Sequence, residues 1–162
     1  MSEVRVGNGF DCHQLSEGRP LMLGGVSVPF DRGLLGHSDG DCAIHALCDA
    51  LLGAAALGDM GRHFPSSDER WRGTSGKTFL REVRRLLAEA CFVIENVDVT
   101  IIAQAPRLGP HLPEMRARLA ETLGLAEERV SVKAKSADHM GALGRGEGIA
   151  AMASALISRR AG

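Results

Sequence analysis

Apolar residues in this 162-residue chain recur with a period of two in some stretches and with a helical period in others, and the two regimes alternate from end to end. Such alternation restricts the chain to helices laid on a sheet. Residues 4–10 read as a strand ending in the polar run Asp11, Cys12, His13. Leu21, Met22 and Leu23, then Gly24 and Gly25, then Val26, Ser27 and Val28 read as a hairpin, because paired glycines accept the positive dihedrals of a two-residue turn. Val97, Val99 and Ile101 alternate with Asp98 and Thr100 in a long strand over 93–103, and 130–135 is another strand.

A helix is predicted from Cys42 toward Ala56, with Asp39 or Asp41 as its cap. Ser75 is positioned to cap a second helix over 76–90, whose apolar stripe is Phe79, Leu80, Val83, Leu86 and Leu87. A third starts near Pro110, carries Leu112, Met115, Leu119 and Leu123, and is stopped by Gly124. The Ala-rich stretch 149–157 permits helix or strand; we assign a strand that closes the sheet. Residues 58–61 and 64–68 are too marked by Gly and Pro for regular structure and read as a functional loop. The result is a single domain over 1–162, a two-layer α/β arrangement with helices on one face of a mixed sheet.

Nineteen basic residues balance twenty acidic ones, leaving a net charge of -1, so no electrostatic case exists for a nucleic-acid binder. With five Phe, one Trp and no Tyr, a base-stacking surface is poorly supplied too. Cys12, Cys42, Cys48 and Cys91 form no C-x-x-C pair, the beginning of the chain has no leader pattern, and a reduced cytoplasmic setting is expected. No segment has the apolar length to span a bilayer.

Asp11 and His13 are two apart on a predicted strand, so their side chains leave the same face while Cys12 leaves the other. Carboxylate oxygen and imidazole nitrogen both suit Zn²⁺, whose catalytic sites use three protein ligands and keep a fourth position open. His45 is the natural third ligand. Asp41 and Asp49 stand one helical turn before and after it, and one of them is expected to hold its second ring nitrogen. Taken alone, an Asp-x-His pair or a helix-capping Asp means little; the combination carries the metal reading.

Nearby donors suit phosphate. His37, Ser38, Asp39 and Gly40 precede a helix, where free amides attract anions. Lys133 and Lys135 project to one side of their strand, Asp138 offers oxygen to a harder cation such as Mg²⁺, and residues 144–148 make a Gly-rich turn with one cation and one acid. His63, His111 and His139 read as surface or loop histidines.

Five stretches together resemble the 2-C-methyl-D-erythritol 2,4-cyclodiphosphate synthase family: GNGFDCH at 7–13, GLLGHSDGD at 33–41, DALLGAAALGDMG at 49–61, NVDVTIIAQAP at 96–106 and GRGEG at 144–148. The resemblance implies an α+β, two-layer ferredoxin-like sandwich, a mixed β-sheet with helices on one face, assembled as a homotrimer with active sites between subunits. It implies Zn²⁺ on Asp11, His13 and His45, and a second ion, Mg²⁺ or Mn²⁺, assisted by Asp138. His37 and Ser136 are implied to stabilise the transition state. Substrate contacts are implied for Asp11, His13, His37 and Ser38; for Asp59, as the ribose binder, with Met60 and Gly61; and for Phe64, Pro65, Ser66, Ser67 and Asp68. Ala103, Gln104, Ala105, Pro106, Arg107, Leu108 and Gly109 would wall the cytosine pocket, with Lys135, Ser136, Ala137, Asp138, Ala142 and Arg145 completing the set. Arg145 and Glu147 match positions at the trimer axis, where some members hold an isoprenoid diphosphate.

Four positions depart from the family's frequent residues. Ser136 replaces Thr and keeps the hydroxyl; Asp138 replaces Glu and is one methylene shorter; Ser66 replaces a carboxylate; Ala142 replaces the Phe of the central channel. The implied reaction is intramolecular: the 2-phosphate of 4-diphosphocytidyl-2-C-methyl-D-erythritol 2-phosphate attacks the β-phosphorus and CMP leaves. A zinc phosphohydrolase, giving a linear product, and a silent metal- or isoprenoid-binding trimer are the competing readings.

Overall fold

The computed structural model describes residues 3–159. Seven strands are β1 (Val4–Glu17), β2 (Leu21–Leu23), β3 (Val26–Val28), β4 (Arg32–Leu34), β5 (Phe92–Ile102), β6 (Val130–Lys135) and β7 (Gly148–Arg159). The helices are α1 (Cys42–Ala54), the one-turn α2 (Met60–His63), α3 (Gly76–Glu89), α4 (Leu112–Leu123) and the one-turn α5 (Gly141–Gly144). Five strands form a mixed sheet in the order β4-β1-β7-β5-β6; β5 and β6 run parallel and the other neighbours antiparallel. β2 and β3 pair as the predicted hairpin, with Gly24 and Gly25 at φ 58 and 76.

α1 lies across β1 and β7, and glycine decides how close it comes. A Cβ on Gly7 would sit 2.0 Å from the carbonyl oxygen of Ala50, and one on Gly9 2.0 Å from that of Ala46. The sheet side of this contact is equally small, Ala151, Ala153 and Ala155 of β7, all buried. Leu47, Leu51, Leu80, Ile101, Met115 and Leu119 then fill the space between α1, α3, α4 and the sheet. Each such side chain contributes roughly 1.5–3 kcal/mol of burial.

The predicted strands and long helices are present in the predicted order, with several differences. Three short elements are unexpected: β4, α5 and α2, the last of which turns Met60 and Gly61, read as irregular, into the start of a one-turn helix capped by Asp59. β1 continues through Glu17, so Asp11 and His13 lie inside the strand and not at its end. The stretch 149–157 is a strand, yet it sits at the centre of the sheet between β1 and β5 and closes no edge. β7 pairing turns Ala151, Ala153 and Ala155 toward α1, while the opposite, bare face carries Val4, Val6, Phe10 and Met152, each at least 54% exposed. Ser75 makes no side-chain cap on α3: the carboxylate of Asp39 accepts the Gly76 amide at 2.7 Å from across the fold.

Asp41 is the cap of α1 and also its anchor. One carboxylate oxygen accepts the amides of Ile44 at 3.1 Å and Gly24 at 2.9 Å, the other that of Gly25 at 2.8 Å. Burial pushes its carboxyl up from the usual range, aided by the charge of Asp39, while the three amides oppose the shift. Cys42 and Cys48 are buried on the same helix, and burial pushes both thiols up; Cys12 and Cys91 are exposed and unpaired. Among the described residues, no helix is long and apolar enough to cross a membrane.

Candidate active site

Asp11 and His13 emerge on the helix-covered side of β1, directly under α1, where His45 faces them across the glycine-lined contact. Asp11 Oδ2 lies 2.8 Å from His13 Nε2 and 3.0 Å from His45 Nδ1, and the two ring nitrogens are 3.2 Å apart. Tetrahedral bonds of about 2.0–2.1 Å would set such edges at ~3.3 Å, so one small divalent ion fits the three donors. Among the described residues these three form the group able to hold a metal. Burial opposes the charge on Asp11, but hydrogen bonds from His13 and His45 outweigh it and hold the carboxyl far below its usual range; the same bond raises His13.

The second ring nitrogens are both engaged. His13 Nδ1 donates to the carbonyl of Leu35, and His45 Nε2 lies 3.2 Å from the hydroxyl of Ser38. The Leu35 carbonyl can only accept, so it holds the hydrogen on His13 Nδ1, and the Ser38 hydroxyl can accept one from His45 Nε2; with those nitrogens so occupied, Nε2 of His13 and Nδ1 of His45 would be free for a metal in place of their bonds to Asp11. Asp41 and Asp49 do not serve His45 as expected. Asp41 spends its oxygens on the three amides above, and Asp49 accepts the Met60 amide at 2.8 Å, which fixes the start of α2. Helical spacing puts both carboxylates on the side of His45 but cannot show that backbone amides claim them first.

Residues 36–39 form the rim. Arg19 donates to the carbonyls of Gly36 at 3.0 Å and Ser38 at 2.8 Å, and the Gly73 amide donates to that of His37 at 2.8 Å. His37 Nε2 reaches the carbonyl of Asp68 at 3.4 Å. Behind the rim, His13, His37, Ser38, His45, Met60, Phe64, Ser66, Trp71 and Phe79 line a cavity of about 180 Å³. Phe64, Trp71 and Phe79 pack ring against ring with centroids 4.9–5.6 Å apart, and the buried indole N–H of Trp71 meets no partner among the described residues. Sequence alone does not single out Arg19, Trp71 or Phe79 for the site. Phe79 belongs to the helical stripe that reads as core, and nothing in the spacing of the other two ties them to a histidine in β1.

The other implied residues fall in separate places. Ala103, Gln104, Pro106, Arg107, Leu108 and Gly109 join Lys135 and Ser136 around a second cavity of about 330 Å³. Asp59 caps α2, accepting the Arg62 amide at 2.9 Å, and shares a third cavity of about 400 Å³ with Asn8, Phe10, Asp49 and Met152. Asp138 is exposed at φ 51, its amide 3.3 Å from the Ser136 hydroxyl, and belongs to none of the three cavities. Asp68 caps the turn Glu69–Trp71 and pairs with Arg70. Arg145 and Glu147 form an ion pair at 2.6 Å beside a hollow of about 680 Å³ that also takes in Arg32 and Ala142. Lys133 is paired with Asp98 at 2.5 Å, while Lys135 stays by the second cavity.

The YgbB family profile matches residues 4–158. The chain is 57% identical over 159 residues, 98% of each chain, to a protein of Burkholderia thailandensis named 2-C-methyl-D-erythritol 2,4-cyclodiphosphate synthase. It is 56% identical, with the same coverage, to the like-named protein of Burkholderia pseudomallei strain 668. Among solved structures, it superposes with a TM-score of 0.95 and 38% identity on the bifunctional IspDF of Campylobacter jejuni, covering 99% of this chain and 43% of that one. The CDP complex of Plasmodium falciparum IspF matches with a TM-score of 0.86 and 30% identity over 99% of both chains. With a profile match over nearly its whole length and relatives this similar, the chain belongs to the YgbB family.

Proposed function

We propose that this chain converts 4-diphosphocytidyl-2-C-methyl-D-erythritol 2-phosphate to 2-C-methyl-D-erythritol 2,4-cyclodiphosphate and CMP, as a metal-dependent, cyclising lyase of the non-mevalonate isoprenoid pathway. The observation that carries the reading is the centre of Asp11, His13 and His45, with both second ring nitrogens already committed, in a chain 57% identical to a named synthase. Asp11, His13 and His45 would hold Zn²⁺, which when bound polarises phosphoryl oxygen and orients it. Asp138 would assist a second ion, Mg²⁺ or Mn²⁺.

The residues themselves position rather than react. No protein nucleophile is needed, because the attacking phosphate belongs to the substrate; what the chain must do is fold a flexible, multiply charged molecule into line. His37, at the rim of the metal centre, and Ser136, at the mouth of the second cavity, are the donors we assign to the charge that develops on phosphate. Ala103, Gln104, Pro106, Arg107, Leu108 and Gly109, with the neighbouring Ala105, receive the cytosine, and Asp59 with Met60 and Gly61 the ribose. Residues 64–68 exclude water that would otherwise give a linear product.

The centre holding His37 and the cavity holding Ser136 share no lining residue within one chain. A second copy is the economical way to complete the site, and the bare sheet face with Val4, Val6, Phe10 and Met152 is suited to meet it. We therefore propose a homotrimer, with Arg145 and Glu147 near its axis. Phosphorus NMR of metal-free and then Zn²⁺- plus Mg²⁺-loaded protein with the cytidyl substrate tests the whole reading. Cyclic diphosphate with equal CMP only in the loaded sample is expected; a linear phosphate would make the protein a hydrolase, and no product from zinc-loaded protein would make it a binding module.

A further inference from the structure

Among the described residues, Arg19 is the one side chain whose cation is spent on the backbone of the active-site rim. Its two terminal nitrogens donate to the carbonyls of Gly36 and Ser38, which flank His37 on either side, at 3.0 and 2.8 Å. It forms no ion pair with any carboxylate among the described residues.

Its own backbone is firmly seated. β4 passes so close that a Cβ on Gly33 would lie 2.5 Å from the carbonyl oxygen of Arg19 and 2.2 Å from that of Pro20. The guanidinium therefore reaches the rim from a rigid root. A planar fork with fixed donor directions spans two carbonyls in a way that a flexible ammonium does not. With the Gly73 amide on the His37 carbonyl, three consecutive rim carbonyls are held, two of them by Arg19.

Two functional groups hang from the segment so held. His37 carries the donor assigned above to the phosphate, and Ser38 carries the hydroxyl that faces Nε2 of His45 at 3.2 Å. A shift of the rim moves both at once, and displacements near 1 Å can cost on the order of a hundredfold in rate. We infer that Arg19 is a positioning residue for this reaction: it sets the rim so that His37 and the Ser38–His45 pair meet the reacting phosphates in register. The inference rests on the functional reading given above.

The test is the variant R19A, zinc-loaded and assayed for CMP release beside wild type. The expected result is kcat lower by roughly tenfold or more, KM within about threefold, unchanged zinc stoichiometry, and partial return of kcat on adding millimolar guanidinium ion, which refills the fork. A kcat equal to that of wild type, or a loss that guanidinium leaves unmoved, overturns it. Should R19A fail to fold, R19Q, which keeps most of the stem, is put to the same kinetic and rescue measurements, and the same two results overturn the inference. Wild type separates the claims: if it releases CMP and R19A matches it, the role of Arg19 alone is rejected, whereas no CMP from wild type rejects the functional reading and this inference with it.

Discussion

The hydroxyl of Ser38 lies 3.2 Å from Nε2 of His45, the ring nitrogen turned away from Asp11 and His13. That hydroxyl, and not a carboxylate one helical turn away, is the group placed to hold a hydrogen on Nε2 and so leave Nδ1 for a metal. Removing a partner of this kind typically costs about 10- to 100-fold in metal affinity. S38A is therefore expected to bind Zn²⁺ roughly tenfold more weakly than wild type. The readout is at hand: Trp71, the single tryptophan, lines the same cavity, so its fluorescence follows a zinc titration.

Asp11 and His45 meet only in the folded chain, so a metal held by them would link its binding to folding. Zn²⁺ at about a hundred times its dissociation constant should stabilise the protein by roughly 2.7 kcal/mol, seen as a rise in melting temperature. In D11A and H45A the rise should vanish together with CMP release. A metal-induced rise that survives in both variants would remove the centre from its assigned place.

The carboxylate of Asp41 serves three amides from two elements, and asparagine can satisfy at most part of that set. D41N replaces one acceptor oxygen by an NH₂ group that faces a backbone donor. A loss of about 1–3 kcal/mol is expected for a donor left unsatisfied in the interior, measured by urea unfolding of metal-free protein.

Gly9 is required by space rather than by dihedral angle. In G9A the new methyl would sit 2.0 Å from the Ala46 carbonyl, and backbone cannot yield as a side-chain tip can. Overpacking of this kind costs typically 1–3 kcal/mol and occasionally more; G9A should lie at the upper end and also weaken zinc binding, because β1 and α1 carry the ligands between them. Calorimetry with and without zinc checks both.

Phe10 and Met152 pair across β1 and β7 on the uncovered face, at 60% and 54% exposure. A charge there costs nothing in a free chain and a great deal in a closed interface. F10D is expected to sediment as a monomer, to melt below the associated wild type because the stabilisation from association is gone, and to lose CMP release. Trimeric F10D would show that this face is not where copies meet.

How far the sequence alone reaches can be judged from particular residues. The glycine pair at 24 and 25, the stop at Gly124, the alternation around Val99 and the two-residue spacing of Asp11 and His13 are local facts, and local sterics convert each directly into structure. That is why the order of elements and the shared face of two candidate metal ligands were legible, and why the family motifs lay open. Periodicity names two faces of a strand without saying which is covered. Only the packed fold decided that the alanine row of β7 lies under α1 while Met152 stays bare, that β7 is central, and that amides rather than His45 claim Asp41 and Asp49. It also decided that Ser38 and Arg19 complete the rim. Each of these depends on contacts between segments far apart in the chain, whose distances are set by how closely two backbones can approach, and that approach exists only once Gly7 and Gly9 have met α1.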